Sequence, residues 1–211
     1  MTILHVAGRL SFPRGAVVVR PRFRPGFPGA LDDLHASFER CRRRGPVMVA
    51  GEGLGAGIAA ALLLRLRDEG AALPRCAVLV SALLDLAMDA PSLLLNQSAD
   101  PEFDAAALRA SVAAYAGNVP LGDPRISALH ANLHGLPPLL LLAAGTDPLL
   151  DDSLAFAARA ARSGVAVDLC VSPDAGGLRL ATRAAMASVG GQVTAPAALR
   201  ARIRSHSMPS S

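Results

Sequence analysis

Short runs of apolar residues alternate along the chain with longer stretches in which apolar residues recur at helical spacing. Nearly unbroken apolar runs of this length are typical of parallel strands that are covered on both faces. We therefore predict an α/β fold in which helices connect the strands of a doubly wound, mostly parallel sheet. The predicted strands are 16–19, 47–50, 77–80, 139–144 and 165–171, with a stub strand at 2–4, and the predicted helices are 31–43, 54–68, 104–115 and 149–162.

Two regions depart from this alternation. The connection at 82–138 is too long for an ordinary loop between a strand and a helix, and it contains several prolines and one clear helix. We expect it to form an insertion over the sheet. Residues 191–211 are rich in Gly, Pro, Ser and Arg, and after a helix fragment we expect a flexible basic tail. Residues 1–190 are predicted to form one domain.

Composition supports a folded domain, whereas the net charge says little about function. The 211 residues are 52% hydrophobic and 18% charged, which excludes a disordered or collagen-like chain. All 21 basic residues are arginine, so the net charge of +4 partly reflects a GC-rich, bacterial-type coding sequence. This charge is compatible with an acidic partner but does not require one.

Cysteine number and the N-terminal residues bear on the compartment. Three cysteines are too few for a disulfide framework. The N-terminal residues lack the basic segment, long apolar segment and cleavage site of a signal peptide. No apolar run approaches the roughly 20 residues that a membrane span needs. We expect a cytoplasmic protein without a membrane span.

A glycine-rich turn, G-E-G-L-G-A-G-I at 51–58, leads directly into a long predicted helix. A dinucleotide fingerprint would use Gly51, Gly53 and Ala56, but the acid expected about 20 residues later does not stand at the end of the next strand. A nucleophile elbow, G-x-S-x-G, would use Gly51 and Gly55 and would place its nucleophile at Gly53, which has no side chain. On this segment alone the dinucleotide interpretation is the better one.

Five features, the glycine-rich turn among them, are similar to ordered motifs of one known family. They are P-G-A-L-D-D at 28–33, the turn at 51–58, S-A-L-L-D-L at 81–86, D-P-R-I-S at 123–127 with G-L-P-P at 135–138, and A-G-T-D-P-L-L-D-D-S at 144–153. Through these motifs residues 17–180 resemble the hormone-sensitive-lipase-like branch of the α/β-hydrolases, the fold-3 esterases. The resemblance implies an α/β-hydrolase core and carboxylic ester hydrolysis as the family activity. It also implies that the family's cap helices and first strands are missing, so we expect an N-terminally truncated core.

The resemblance assigns the catalytic acid to Asp147, whereas the other two catalytic positions hold glycine. Gly53 occupies the nucleophile position, and Gly177, in P-D-A-G-G-L after the last predicted strand, occupies the base position. The oxyanion hole would use the backbone N–H of Leu54 and, from an eroded H-G-G-G loop, that of Gly8. Losing a nucleophile or a base typically removes a factor of about 10⁴ to 10⁶ in turnover.

Replacement of the missing groups is not expected. Ser81, Ser127 and Ser172 could supply a hydroxyl, but none of them is predicted to lie on a strained elbow. Glu52, beside Gly53, is expected to be structural. We expect His130 and His134 at the end of their strand opposite the site.

Arginines also cluster at Arg20, Arg22 and Arg24 and again at 40–44. Nucleic-acid binding by such clusters is favoured by interleaved aromatic residues, which make up only 3% of the chain. Cations at 40–44 also suit the end of a helix. Nucleic acid is therefore not the expected partner.

Together these features predict a non-catalytic pseudo-hydrolase with no cofactor or metal. It would bind a small apolar or ester-like ligand, a second copy of itself or an active paralogue, or be the product of a decaying gene. Two alternatives stay open. One is an active ester hydrolase with a relocated nucleophile, and the other is a dinucleotide-binding protein that uses the turn at Gly51, Gly53 and Ala56.

Overall fold

A parallel sheet forms the centre of the computed structural model, which describes residues 1–100 and 103–189. Its strands are β1 Thr2–His5, β2 Val17–Val19, β3 Val47–Gly53, β4 Cys76–Ala82, β5 Leu139–Ala144 and β6 Val167–Ser172. The helices of the described residues are α1 Gly29–Arg42, α2 Leu54–Asp68, α3 Pro91–Leu95, α4 Ala105–Ala116, α5 Leu150–Arg162 and α6 Ala175–Val189. The six strands lie in the order β2-β1-β3-β4-β5-β6, and every pair is parallel.

Side chains of successive strand residues point to two apolar layers, one on each face of the sheet. In β3, Val47 and Val49 pack in the layer that contains α1, α2 and α5, whereas Met48 and Ala50 pack in the layer that contains α6. Every residue of β5 is buried. This two-sided burial explains why the strands are nearly continuous apolar runs in the sequence.

The strand order reverses between β1 and β3. From β1 the chain moves outward to β2, returns to β3 on the other side of β1, and then adds β4, β5 and β6 in succession. The connections that leave the carboxyl ends of β1 and β3 therefore diverge. In open α/β sheets such a reversal produces a crevice in which ligands bind.

The α/β architecture with a doubly wound parallel sheet is confirmed, and several boundaries match. Both α2 and β5 begin and end where the sequence predicts. Gly70 and Gly164 follow α2 and α5 with φ of +63° and +77°, the left-handed conformation expected just beyond a helix. The long connection contains α3 in addition to the one helix that the sequence indicates.

Helix α6 was not predicted from the sequence, and the helix fragment expected within 190–211 lies outside the described residues. The Asp174 side chain accepts the Gly177 N–H at 2.8 Å and so caps the first turn. Leu178, Ala185 and Met186 then pack against the sheet. Two consecutive glycines in the first turn concealed this helix, because glycine disfavours helix interiors.

The predicted tail at 191–211 lies outside the described residues, so the division at residue 190 stays a prediction. Among the residues that are described, no helix has both the length and the apolar character needed to cross a membrane.

Candidate functional site

A cleft of about 670 Å³ opens where the carboxyl ends of the central strands meet. Its floor includes Gly53 at the end of β3, Ser81 near the end of β4 and Asp147 after β5. Gly8, from the connection after β1, lies at its side, so the cleft coincides with the crevice at the strand-order reversal.

The turn between β3 and α2 has the sharp strand-to-helix geometry of a nucleophile elbow. Gly53 has φ +56° and ψ −128° and directly precedes α2. Residues other than glycine adopt such a conformation only with strain. A Cβ at Gly53 would have no atom within 4 Å, so the space for a side chain is open. Leu54 begins α2, and its N–H is therefore among those without an acceptor in the helix.

The other glycines of the turn are required by close packing. A Cβ at Gly51 would lie 2.5 Å from the Gly55 carbonyl oxygen, and one at Gly55 would lie 2.7 Å from the Ala7 Cβ. A Cβ at Gly57 would overlap the Leu83 carbonyl oxygen. Packing alone thus accounts for these glycines, and the dinucleotide interpretation stays a prediction.

Asp147 is a buried carboxylic acid with one unsatisfied oxygen. It lies in the turn between β5 and α5 and is 8% exposed. Its Oδ1 accepts the Leu149 N–H at 2.8 Å, whereas Oδ2 has no hydrogen-bond partner among the described residues. Burial raises the pKa of Asp147, which the Ser81 hydroxyl and the Leu149 N–H partly oppose. The unsatisfied oxygen is the kind of acceptor that the N–H of a catalytic histidine would fill.

Gly177 lies beside the cleft and does not line it. A Cβ at Gly177 would lie 3.2 Å from the Ser172 Cβ and 3.5 Å from the Pro173 Cδ, whereas Ala175 and Leu178 are the residues of α6 that line the cleft. The structure therefore brings Gly8, Gly53 and Asp147 together in one cleft, whereas a Cβ at position 177 would face Ser172 and Pro173. Because Gly177 belongs to the first turn of α6, a Cβ at this position would tilt toward the N-terminus of the helix.

Contacts of Gly8 and Glu52 hold the loop that follows β1 against the turn between β3 and α2. Gly8 has φ +107°, and a Cβ there would overlap the Glu52 side chain. The Glu52 carboxylate accepts the Arg9 N–H, and the Glu52 N–H donates to the Ala7 carbonyl at 3.1 Å. These contacts agree with a structural role for Glu52. They also explain why glycine is needed at position 8.

Ser81 lies within β4 and not on a strand-to-helix elbow, but its backbone is strained. Its φ is +43°, which is uncommon for a residue other than glycine. The cause is an irregular register between β3 and β4, in which Glu52 pairs with Val80 and Gly53 with Ala82, so that Ser81 has no partner. Ser81 lines the cleft together with Asp147.

The remaining candidate side chains have contacts outside the cleft. Ser127 is fully buried, where its Oγ accepts the Leu86 N–H at 2.8 Å and donates to the Leu121 carbonyl. His130 pairs with Asp85 at 2.9 Å. Of the histidines in the described ranges, His5, His35, His130 and His134, none lines the cleft.

The arginine clusters are held largely by local contacts. Arg24 forms a bidentate pair with Asp33, with both distances 2.9 Å. Arg42, in the last turn of α1, pairs with Glu39 at 2.6 Å. Such pairing is typical of a solvated protein surface.

A second hollow of about 780 Å³ lies beside α1 and α2 and contains none of the predicted site residues. Its Arg65 is already paired with Asp32 at 2.5 Å and with Glu69 at 2.8 Å. We therefore place the candidate site in the cleft.

One wall of the cleft was not anticipated from the sequence. It consists of Asp100, Phe103, the N-cap residue Asp104 and residues of α4, including Leu108. These residues belong to the long connection at 82–138, where no strand pattern indicates which side chains face the sheet end.

Comparisons with known proteins agree with this geometry. Residues 7–176 match the family model described as alpha/beta hydrolase fold. The chain is 33% identical over 171 residues to an acetyl-hydrolase of Streptomyces hygroscopicus, with 77% of this chain and 57% of the relative covered. It is 34% identical over 146 residues to an esterase of Acinetobacter venetianus, with coverages of 67% and 48%. The chain thus spans about half the length of these curated relatives.

Solved structures give the same result. An esterase from the bacterial hormone-sensitive lipase family superposes with a TM-score of 0.76 at 26% identity, covering 89% of this chain and 72% of that one. A hormone-sensitive lipase from a metagenome library superposes with a TM-score of 0.79, covering 91% and 77%; at 22% identity this likeness shows the fold alone.

Proposed function

The chain belongs to the hormone-sensitive-lipase-like branch of the α/β-hydrolase fold family, and from this premise we propose that it is a member that binds a ligand without hydrolysing it. The whole cleft would serve as the binding site. The ligand would be a small molecule with an apolar part.

The observation that carries the proposal is that no base of the described ranges is paired with Asp147 in the cleft. The residue is 8% exposed, and its fully buried Oδ2 has no hydrogen-bond partner in the described part of the chain. In a catalytic triad this acid orients the base, which in turn activates the nucleophile. Among the described residues no histidine lines the cleft beside Asp147, and the elbow position holds Gly53, so the acid has no base there to orient and the elbow has no nucleophile to activate.

The cleft nevertheless has the features of a ligand site. Its volume falls within the roughly 300–1,000 Å³ of small-molecule pockets. Phe103, Leu108, Leu149 and Leu178 give it an apolar lining. A second copy of the chain, an active paralogue and a cytoplasmic location stay predictions.

Ester turnover tests this proposal. We expect no saturable hydrolysis of p-nitrophenyl acetate or butyrate, because loss of a nucleophile or a base each removes about 10⁴ to 10⁶ in turnover. Any residual rate should be the same for the wild-type protein and Asp147→Asn. Saturable turnover that Asp147→Asn abolishes would refute the proposal.

A second candidate function is ester hydrolysis with Ser81 as a relocated nucleophile, and the left-handed φ of Ser81 favours it. In this scheme the Ser81 Oγ attacks the ester carbonyl while its proton passes to Asp147. The bond to the alcohol then breaks, the alcohol takes the proton, and water later hydrolyses the acyl-serine.

A fluorophosphonate probe separates the two candidates. Labelling of Ser81 that is lost in Ser81→Ala but kept in Ser111→Ala would establish the second one. Ser111 is a suitable control because it also lines the cleft, while its Oγ is bonded to the Ala107 carbonyl at 2.9 Å. Absence of any serine label would exclude Ser81 as a nucleophile.

A further inference from the structure

Helix α3 lies against the turn that bears Asp147, and little apolar surface holds it there. Its five residues are too few to form a stable helix on their own. Leu93 is buried, but Leu94 and Leu95 are 80% and 74% exposed. Polar contacts with neighbouring elements are therefore needed to fix the position of α3.

Ser92 connects α3 to the first turn of α5. The Ser92 N–H donates to Asp151 Oδ2 at 2.8 Å, and the Asp151 N–H donates to Ser92 Oγ at 3.1 Å. The Ser92 hydroxyl in turn donates to the Pro148 carbonyl at 2.9 Å. Because Ser92 is buried, loss of its hydroxyl would leave these groups without a ready replacement from water.

Asn96 connects the end of α3 to the turn between β5 and α5. Its side-chain amide donates to the Gly145 carbonyl at 3.2 Å and to the Asp147 carbonyl at 3.0 Å. An asparagine amide carries two N–H donors, so this one side chain can hold both carbonyls at once. The two hydrogen bonds therefore fix the backbone from which the Asp147 side chain extends.

The same segment of the chain leads directly to one wall of the cleft. Asp100 follows Asn96 by four residues and lines the cleft, as does Phe103. Asp147 belongs to the floor of the same cleft. Ser92 and Asn96 do not line it, so they act on the cleft through the Asp147 turn and through this wall.

We propose that Ser92 and Asn96 are positioning residues of the cleft. By holding the Asp147 turn against α3, they keep the Asp147 carboxyl group buried and fix the floor of the cleft relative to the wall that contains Asp100 and Phe103. Both roles rest on the proposed function, in which this cleft is the ligand site, and they determine the shape of that site.

NMR titration of the Asp147 carboxyl carbon measures whether the turn stays in place. Burial is the main cause of the raised pKa of Asp147. We therefore expect Asn96→Ala to lower the pKa of Asp147 toward its ordinary value, because a turn released from α3 lets water reach the carboxyl group. An unchanged or higher pKa in this variant would overturn the proposal. Should Asn96→Ala not fold, Ser92→Ala gives the same test, with the same expected direction.

Gln97→Ala is the matched control. Gln97 is the next residue in the chain and carries the same amide group, but it is exposed and does not line the cleft. Its replacement should leave the pKa of Asp147 unchanged, and a fall equal to that in Asn96→Ala would overturn the assignment. A lower Tm of Asn96→Ala without a change in the pKa of Asp147 would show that Asn96 only stabilises the fold, which also overturns it.

Ester turnover of the wild-type protein, measured on the same preparation, tests the proposed function separately. Saturable hydrolysis that Asp147→Asn abolishes refutes that function and leaves the positioning roles intact, because the titration does not depend on what the cleft binds. An unshifted titration in Asn96→Ala refutes only the positioning roles.

Discussion

Gly53→Ser should cost stability through the backbone alone. The change restores a hydroxyl to the elbow, where a Cβ would have no atom within 4 Å, so no steric term arises. The remaining cost is that of holding a serine at φ +56° and ψ −128°. Residues in such sparsely populated conformations cost on the order of 1–3 kcal/mol. For a domain of this size that free energy corresponds to a fall in Tm of roughly 2–12 °C.

Thermal unfolding followed by circular dichroism measures this cost, and Gly57→Ser is the matched control. A Cβ at Gly57 would overlap the Leu83 carbonyl oxygen, so backbone must move and the loss should be larger than at Gly53. Equal destabilisation by Gly53→Ser and Gly57→Ser would refute the inference that the space beside Gly53 is open to a side chain. Adding Gly177→His to Gly53→Ser should not restore ester hydrolysis, because position 177 faces Ser172 and Pro173.

Three further changes test other parts of the structure. Burial raises the pKa of Asp152 to about 6, so this residue lowers the free energy of unfolding as pH rises from about 4 to about 6. Asp152→Asn should reduce that pH dependence in urea titrations. An unchanged pH dependence would contradict the raised pKa of Asp152. Ser81→Gly should leave stability unchanged or raise it by up to about 1 kcal/mol, because glycine adopts φ +43° without strain; a loss above that amount would show that the Ser81 hydroxyl is structural. Asp174→Ala should lower stability by about 1 kcal/mol through loss of the cap on α6, and no loss would refute capping as the origin of that helix.

Elements with strong apolar patterning could be predicted from the sequence. The runs in β3, β4 and β5 are buried on both faces, and α2 is bounded by the glycine turn and by Gly70, so pattern and boundary signals agree. The Asp147 and Gly53 positions were assigned through the family resemblance, and the structure places both at the carboxyl edge of the sheet, Gly53 at the end of β3 and Asp147 after β5. Parallel strands bring such turns to one edge.

Features set by tertiary geometry could not be predicted in this way. The strained backbone at Ser81 arises from an irregular register between β3 and β4. Such an irregularity depends on how the two strands pair, so the sequence of neither strand reveals it. The orientation of the backbone at position 177 depends on where α6 begins, and the Asp174 cap fixes that start. Similarly, Asp100 and Asp104 belong to a connection in which no strand pattern indicates which side chains face the sheet end.

Intact-mass analysis after incubation with p-nitrophenyl butyrate tests the central claim most directly, because ester hydrolysis by any serine nucleophile passes through an acyl-enzyme. After an acid quench the account predicts only the unmodified mass for the wild-type protein and for Asp147→Asn alike. A butyryl adduct that forms on the wild-type protein and is lost in Asp147→Asn or Ser81→Ala would contradict it.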